Sequence, residues 1–186
     1  MSSNTSHSLD RQTVILHWLV GLAMLMLLGT GVYMTENEVY ALYDLHKSVG
    51  TLIFLLAAWR VLWRIRNGWP AAVGEDSAFQ HLIARVVHYV LLTGTLLMPI
   101  SGFMMSVMGG HDVAIFGLEL VGENLDPNNP DEVLALNAAL AGIAEGLHHY
   151  LGYMVIAAVV LHVVGALKHH ILDKDATLTR MLGGKA

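Results

Sequence analysis

The sequence predicts an all-α integral membrane protein, a bundle of four spanning helices. Three observations carry this: composition, the length of the apolar segments, and the placement of the cations. Of 186 residues, 55% are hydrophobic and 13% charged, and the mean hydropathy of +0.55 is well above that of a water-soluble domain of this size. The whole chain, 1–186, reads as a single transmembrane domain without internal repeats or low-complexity tracts.

A helix crossing a hydrocarbon core of roughly 30 Å needs about 20 apolar residues. Four segments meet this, near Val14–Met34, Lys47–Ile65, Ala84–Val107 and His149–Ile171. The polar first ten residues and the lack of a small-residue cleavage site after the first apolar run predict that this run stays as an anchor. The links are unequal: a short polar one at Thr35–Leu45, a Gly/Pro-containing one at Arg66–Ile83, and a long one at Met108–Leu147. In the long link, Asn129-Pro130-Asp131-Glu132 reads as an N-cap with proline in the first helical turn. It predicts a short amphipathic helix over Val133–Gly146, outside the bilayer.

Of ten Lys and Arg residues, Arg11, Arg60, Arg64, Arg66, Arg85, Lys168, Lys174, Arg180 and Lys185 sort to one side and only Lys47 to the other. The positive-inside rule then places both termini in the cytoplasm. The opposite face carries Glu36, Glu38, Asp44, Asp112, Glu119, Glu123, Asp126, Asp131, Glu132 and Glu145, and is strongly acidic. Nothing in this pattern points to nucleic acid.

There are no cysteines, which excludes disulfides, iron–sulfur clusters and covalently attached c-type haem. The eleven histidines are therefore the candidate metal ligands, and those inside apolar spans are expensive unless they have a function. His148 and His162 are fourteen residues apart on the fourth helix, so they share nearly one face and are separated by roughly 21 Å of rise. That spacing suits two b haems stacked through the bilayer, each taking one axial imidazole from this helix. The alternative is isolated polar residues satisfied by neighbours. Topology supplies the partners: His17, low in the first helix, is level with His162, and His46, opening the second, is level with His148. The expected ligand pairs are thus His17 with His162 at an inner haem and His46 with His148 at an outer one. With imidazole on both faces of each iron, the expected work is electron transfer rather than oxygen binding.

Arg60, fourteen residues beyond His46, is placed to pair with an inner haem propionate, or it snorkels to the interface. Lys47 is the corresponding candidate at the outer haem. His149 competes with His148 for the outer iron but points about 100° away. His88 reads as a hydrogen-bonding residue on the third helix, and His7, His81 and His111 are assigned no role.

Together, His17-Trp18, Leu45-His46-Lys47-Ser48, Arg60, the His148/His162 pair and the Lys168–Asp175 run closing the fourth helix resemble the bacterial cytochrome b561 family. That family shares its pattern with hydrogenase and formate dehydrogenase cytochrome b subunits. The resemblance covers nearly all of the chain except the Met108–Leu147 loop. It implies a multi-pass protein of the bacterial inner membrane and the same four haem ligands, His17, His46, His148 and His162. It also implies a relation to the enterobacterial superoxide oxidase, which passes electrons from superoxide at the periplasmic face to ubiquinone.

Three functions compete. The first is a quinone-linked oxidoreductase joining a periplasmic redox partner to the quinone pool, with His169, Lys168 and Trp18 near the quinone and Asp173 beside them. Superoxide:ubiquinone oxidoreduction is one form of it, although the acidic outer face favours a neutral or cationic donor over an anionic one. The second is an electron-transfer subunit without substrate chemistry, docked to a partner through the acidic loop. The third, a zinc or proton transporter, predicts carboxylates within the spans, and none of the fifteen acidic residues lies at a span centre.

Overall fold

The computed structural model describes residues 8–70, 73 and 77–184; His7 and Lys185 lie outside them. Four helices are long and apolar enough to cross a membrane, as the segment lengths predict, and the chain is a four-helix membrane bundle. α1 (Arg11–Glu36) starts at Asp10, whose carboxylate accepts from Thr13 N–H at 3.1 Å. After a 3₁₀ turn at Tyr40–Leu42, α2 runs Tyr43–Asn67 and ends at Gly68, whose φ of +66° is the left-handed conformation that suits glycine. α3 (Ala78–Met108) opens earlier than its apolar run suggests, on a Ser77/Gln80 capping box. His81 therefore sits in the first turn of α3 rather than in a loop.

The expected amphipathic helix over Val133–Gly146 does not form as a separate element: its start is the end of a strand and its remainder joins the fourth span. The long link instead holds two antiparallel hairpins, β1 (Val113–Ile115) with β2 (Leu118–Val121), and β3 (Leu125–Asp126) with β4 (Asn129–Val133). Asp126 Oδ1 accepts from Asn128 N–H at 2.7 Å, and this Asx turn places Asn129-Pro130-Asp131-Glu132 in a strand. Asn124 fixes the join, with its backbone bonded to Gly110 and Leu134. The true N-cap is Asn137, which accepts from Leu140 N–H at 3.0 Å and opens α4 (Ala138–Lys168). Residues 138–146 are thus the first turns of the fourth helix. A single π-turn (His169–Asp173) and a short α5 (Thr177–Met181) close the described chain.

The core is one apolar plug of Val20, Met24, Leu27, Leu28, Ile53, Ala57, Met98 and Val155. α3 lies close along α4, where a Cβ on Gly94 would collide with Val155. Leu22, Met26, Leu55, Leu62, Val160 and Leu161 point outward and are more than half exposed. In water such a surface would be a liability; around a bundle of spanning helices it is the lipid-facing belt.

Candidate functional site

Two histidine pairs lie on either side of that plug. His46 of α2 faces His148 of α4 with ring centroids 6.3 Å apart. His17 of α1 faces His162 of α4 at 6.0 Å. The pairing expected from depth is the one the fold brings together.

The surroundings of His148 fix which of its ring nitrogens carries hydrogen. Ser101 Oγ, whose single hydrogen reaches the carbonyls of Leu97 and Met98 at 2.8 and 3.0 Å, lies 3.1 Å from His148 Nδ1. Met98 O, 2.9 Å from the same nitrogen, can only accept. His148 therefore carries its hydrogen on Nδ1 and turns the lone pair of Nε2 inward. Thr30 Oγ1, also within hydrogen-bond reach of Met26 O at 2.9 Å, lies 3.4 Å from His46 Nδ1. A metal-binding imidazole needs the state that Met98 gives His148, with Nδ1–H held by an outer acceptor. Two glycines make room for the rings: a Cβ on Gly102 would lie 3.0 Å from His148 Cε1, and one on Gly31 would lie 3.3 Å from His46 Cε1. The rings open on a cavity of about 240 Å³. His149 lines the edge of this cavity but packs on Tyr150 and Tyr153, which separates it from its neighbour.

The second pair is more crowded. Arg60 reaches His17 Nδ1 at 3.3 Å. His88 places its ring 5.2 Å from that of His162, and Trp69 stacks on His88 at 5.7 Å with Arg64 over the indole. His88 thus belongs to this cluster, a placement its sequence position did not reveal. Trp18 meets His17 edge-on, and its indole N–H donates to Met181 O at 2.7 Å, tying α5 to α1.

Beyond His162, the π-turn gathers the remaining candidates. Lys168 Nζ meets Asp173 at 2.5 Å, and His169 Nδ1 meets Asp175 at 2.7 Å and Asp173 at 3.3 Å. Burial raises the Asp175 pKa, but hydrogen bonds from Thr177 and His169 outweigh it and hold the carboxyl below its ordinary value. At the other end, Lys47 is bonded to Asp112 through both the carboxylate, at 2.6 Å, and the carbonyl, at 3.1 Å, with Asp44 at 3.6 Å. The cation expected at the haem propionates is thus paired with the long loop.

The family model for prokaryotic cytochrome b561 matches residues 8–184. The chain belongs to the prokaryotic cytochrome b561 family. It is 32% identical to cytochrome b561 homolog 2 of Escherichia coli K12, over 97% of this chain and 94% of that protein. Cytochrome b561 homolog 1 of the same organism is 25% identical over 93% and 96%. The probable superoxide oxidase CybB of Yersinia pestis is 30% identical over 76% and 74%. A cytochrome b561 is a multi-pass membrane protein carrying b-type haem, which in a chain without cysteine is held non-covalently. The donor set fits that group. An imidazole nitrogen sits about 2 Å from the metal it binds, so two imidazoles opposed across one metal have centroids roughly 6 Å apart. Both pairs have that separation.

Sequence reasoning missed Thr30, Ser101, Gly31, Gly102 and Met98 O. Serine, threonine and glycine are common in membrane helices for packing alone. The available signal was their offset: Thr30-Gly31 and Ser101-Gly102 are two dipeptides of one kind on two helices, each meeting one histidine.

Proposed function

We propose that this cytochrome b561 holds two b haems, one between His46 and His148 and one between His17 and His162. In this reading it carries electrons between a redox partner at its acidic face and the quinone pool at the other. The observation that carries the proposal is the pair of opposed imidazoles at metal-spanning separation on both sides of one apolar plug. Haem b ligated on both faces supplies one-electron transfer without an open coordination site. The protein's part is to orient and insulate. Met98 fixes the ring tautomer of His148, Ser101 and Thr30 support the two rings from behind, and the plug keeps water from between the two levels. The charge asymmetry supports cytoplasmic termini, so the π-turn would lie at the cytoplasmic face. There Asp175 holds the His169 ring, an arrangement that suits an imidazole for exchanging a proton with a quinone oxygen; Lys168 and Trp18 frame the same region. Purified protein should give a pyridine haemochrome yield of two haems per chain, and a yield of one would remove half of the proposal.

The likeness to a probable superoxide oxidase favours a second reading, superoxide:ubiquinone oxidoreduction. The electrostatics oppose it, since the cation best placed to attract an anion, Lys47, is compensated by Asp112 and Asp44. A negative surface slows an anionic substrate by roughly 10- to 1000-fold, and salt relieves the effect. Haem reduction by superoxide in stopped flow should therefore speed up as salt is added. A fast rate that salt slows would restore superoxide as the donor, whereas a basic protein donor would itself be slowed by salt.

A further inference from the structure

The two hairpins between α3 and α4 differ in chemistry. The β1–β2 hairpin, residues 113–121, contains one charged residue, Glu119, and its tip exposes Phe116 and Leu118 at 66% and 67%. The β3–β4 hairpin and its approach carry Glu123, Asp126, Asp131 and Glu132. An apolar tip beside an acidic one raises the question of what covers it.

Hydrogen bonds fix the height of that tip on the bundle. Ser48 Oγ accepts from Phe116 N–H at 3.0 Å and donates to Ala114 O at 3.1 Å, while Lys47 grips Asp112 one step earlier. Ser48 lies inside a span. Arg64 and Arg66 mark the polar end of α2; counted back from Ile65 at about 1.5 Å per residue, a hydrocarbon layer of roughly 30 Å reaches to about Leu45. Ser48 is then a few ångströms within the opposite boundary, and the backbone of Phe116 is held at its level. Leu52 and Leu55, further along α2, are exposed and belong to the lipid-facing belt.

We propose that the β1–β2 hairpin is a membrane-interface anchor, with Phe116 and Leu118 seated at the headgroup–acyl boundary of the leaflet on the Lys47 side. The acidic β3–β4 hairpin stays in water. The turn suits the task, because Phe116 and Gly117 both have positive φ, +47° and +88°. This is the geometry of a tight two-residue hairpin, and it projects the Phe116 side chain at the extremity. The depth has a natural limit: a two-stranded ribbon leaves edge N–H and C=O groups unpaired, which the hydrocarbon interior does not tolerate and the hydrated headgroup region does. Val113 of the same hairpin is buried and lines the His46–His148 cavity, so an anchored hairpin would also hold the wall of that cavity at constant height. The inference holds whichever electron partner the cytochrome serves.

The absence of cysteine makes single-site spin labelling direct. Phe116→Cys and Leu118→Cys, each in the full-length haem-loaded protein in phosphatidylcholine/phosphatidylglycerol liposomes, would be compared with Leu55→Cys as the lipid reference and Asn128→Cys as the water reference. Oxygen should relax the labels at 116 and 118 in preference to a water-soluble nickel chelate. The ratio should exceed that at 128 several-fold and fall below that at 55. Ratios at both tip positions equal to that at 128 would overturn the proposal and make the tip a water-facing surface for a soluble partner. Shielding from both reagents would overturn it in favour of coverage by protein.

Discussion

The two histidine pairs have nearly the same ring separation and very different surroundings. At His46–His148, the Met98 carbonyl holds the His148 Nδ1 hydrogen, Thr30 Oγ1 lies beside His46 Nδ1, and two glycines clear the approach. At His17–His162, the Arg60 guanidinium, a cation, lies 3.3 Å from His17 Nδ1. The lesson is that separation alone does not make a site, because the tautomer is set by what stands behind the ring. In the proposed di-haem reading, Arg60 would pair with a propionate of the haem between His17 and His162.

Arg60 is where this contrast is most open to attack. Arg60→Met removes a cation from one level of the bundle only, so the haem proposed between His17 and His162 should be oxidised more easily. Its midpoint potential should fall by on the order of 60 mV, a tenfold change in a one-electron equilibrium. A potentiometric titration followed at the haem bands should show one wave moving and the other fixed. Movement of the wave that depends on His148 would place Arg60 at the wrong level.

A smaller effect is expected where support is shared. Outer-shell partners of a ligating histidine are typically worth 10- to 100-fold in metal affinity. His148 keeps the Met98 carbonyl when Ser101 is removed, so Ser101→Ala should cost at most about tenfold. Haem transfer to apomyoglobin would measure it, and no change would mean that Met98 alone fixes the ring.

The spans were legible because only a long apolar run crosses a bilayer, and the histidine pairs because topology ties sequence position to depth. The hairpins were not. Asn129-Pro130-Asp131-Glu132 serves a helix start or a strand equally well, and the Asp126 turn just before it decided the matter. His88 was obscure because its neighbour Trp69 comes from the α2–α3 link, whose course cannot be read from periodicity. Arg60 was readable as an interior cation, but its contact with His17 rather than a distant counter-ion depended on side-chain geometry.

The most direct test of the account is the haem content of paired alanine variants. His17→Ala and His162→Ala should each retain one b haem with the same potential, and His46→Ala and His148→Ala should each retain the other one, with His149→Ala keeping both. Variants that remain folded yet lose both haems together, or a His17→Ala protein whose surviving haem matches that of His148→Ala, would contradict the assignment of one iron to each pair.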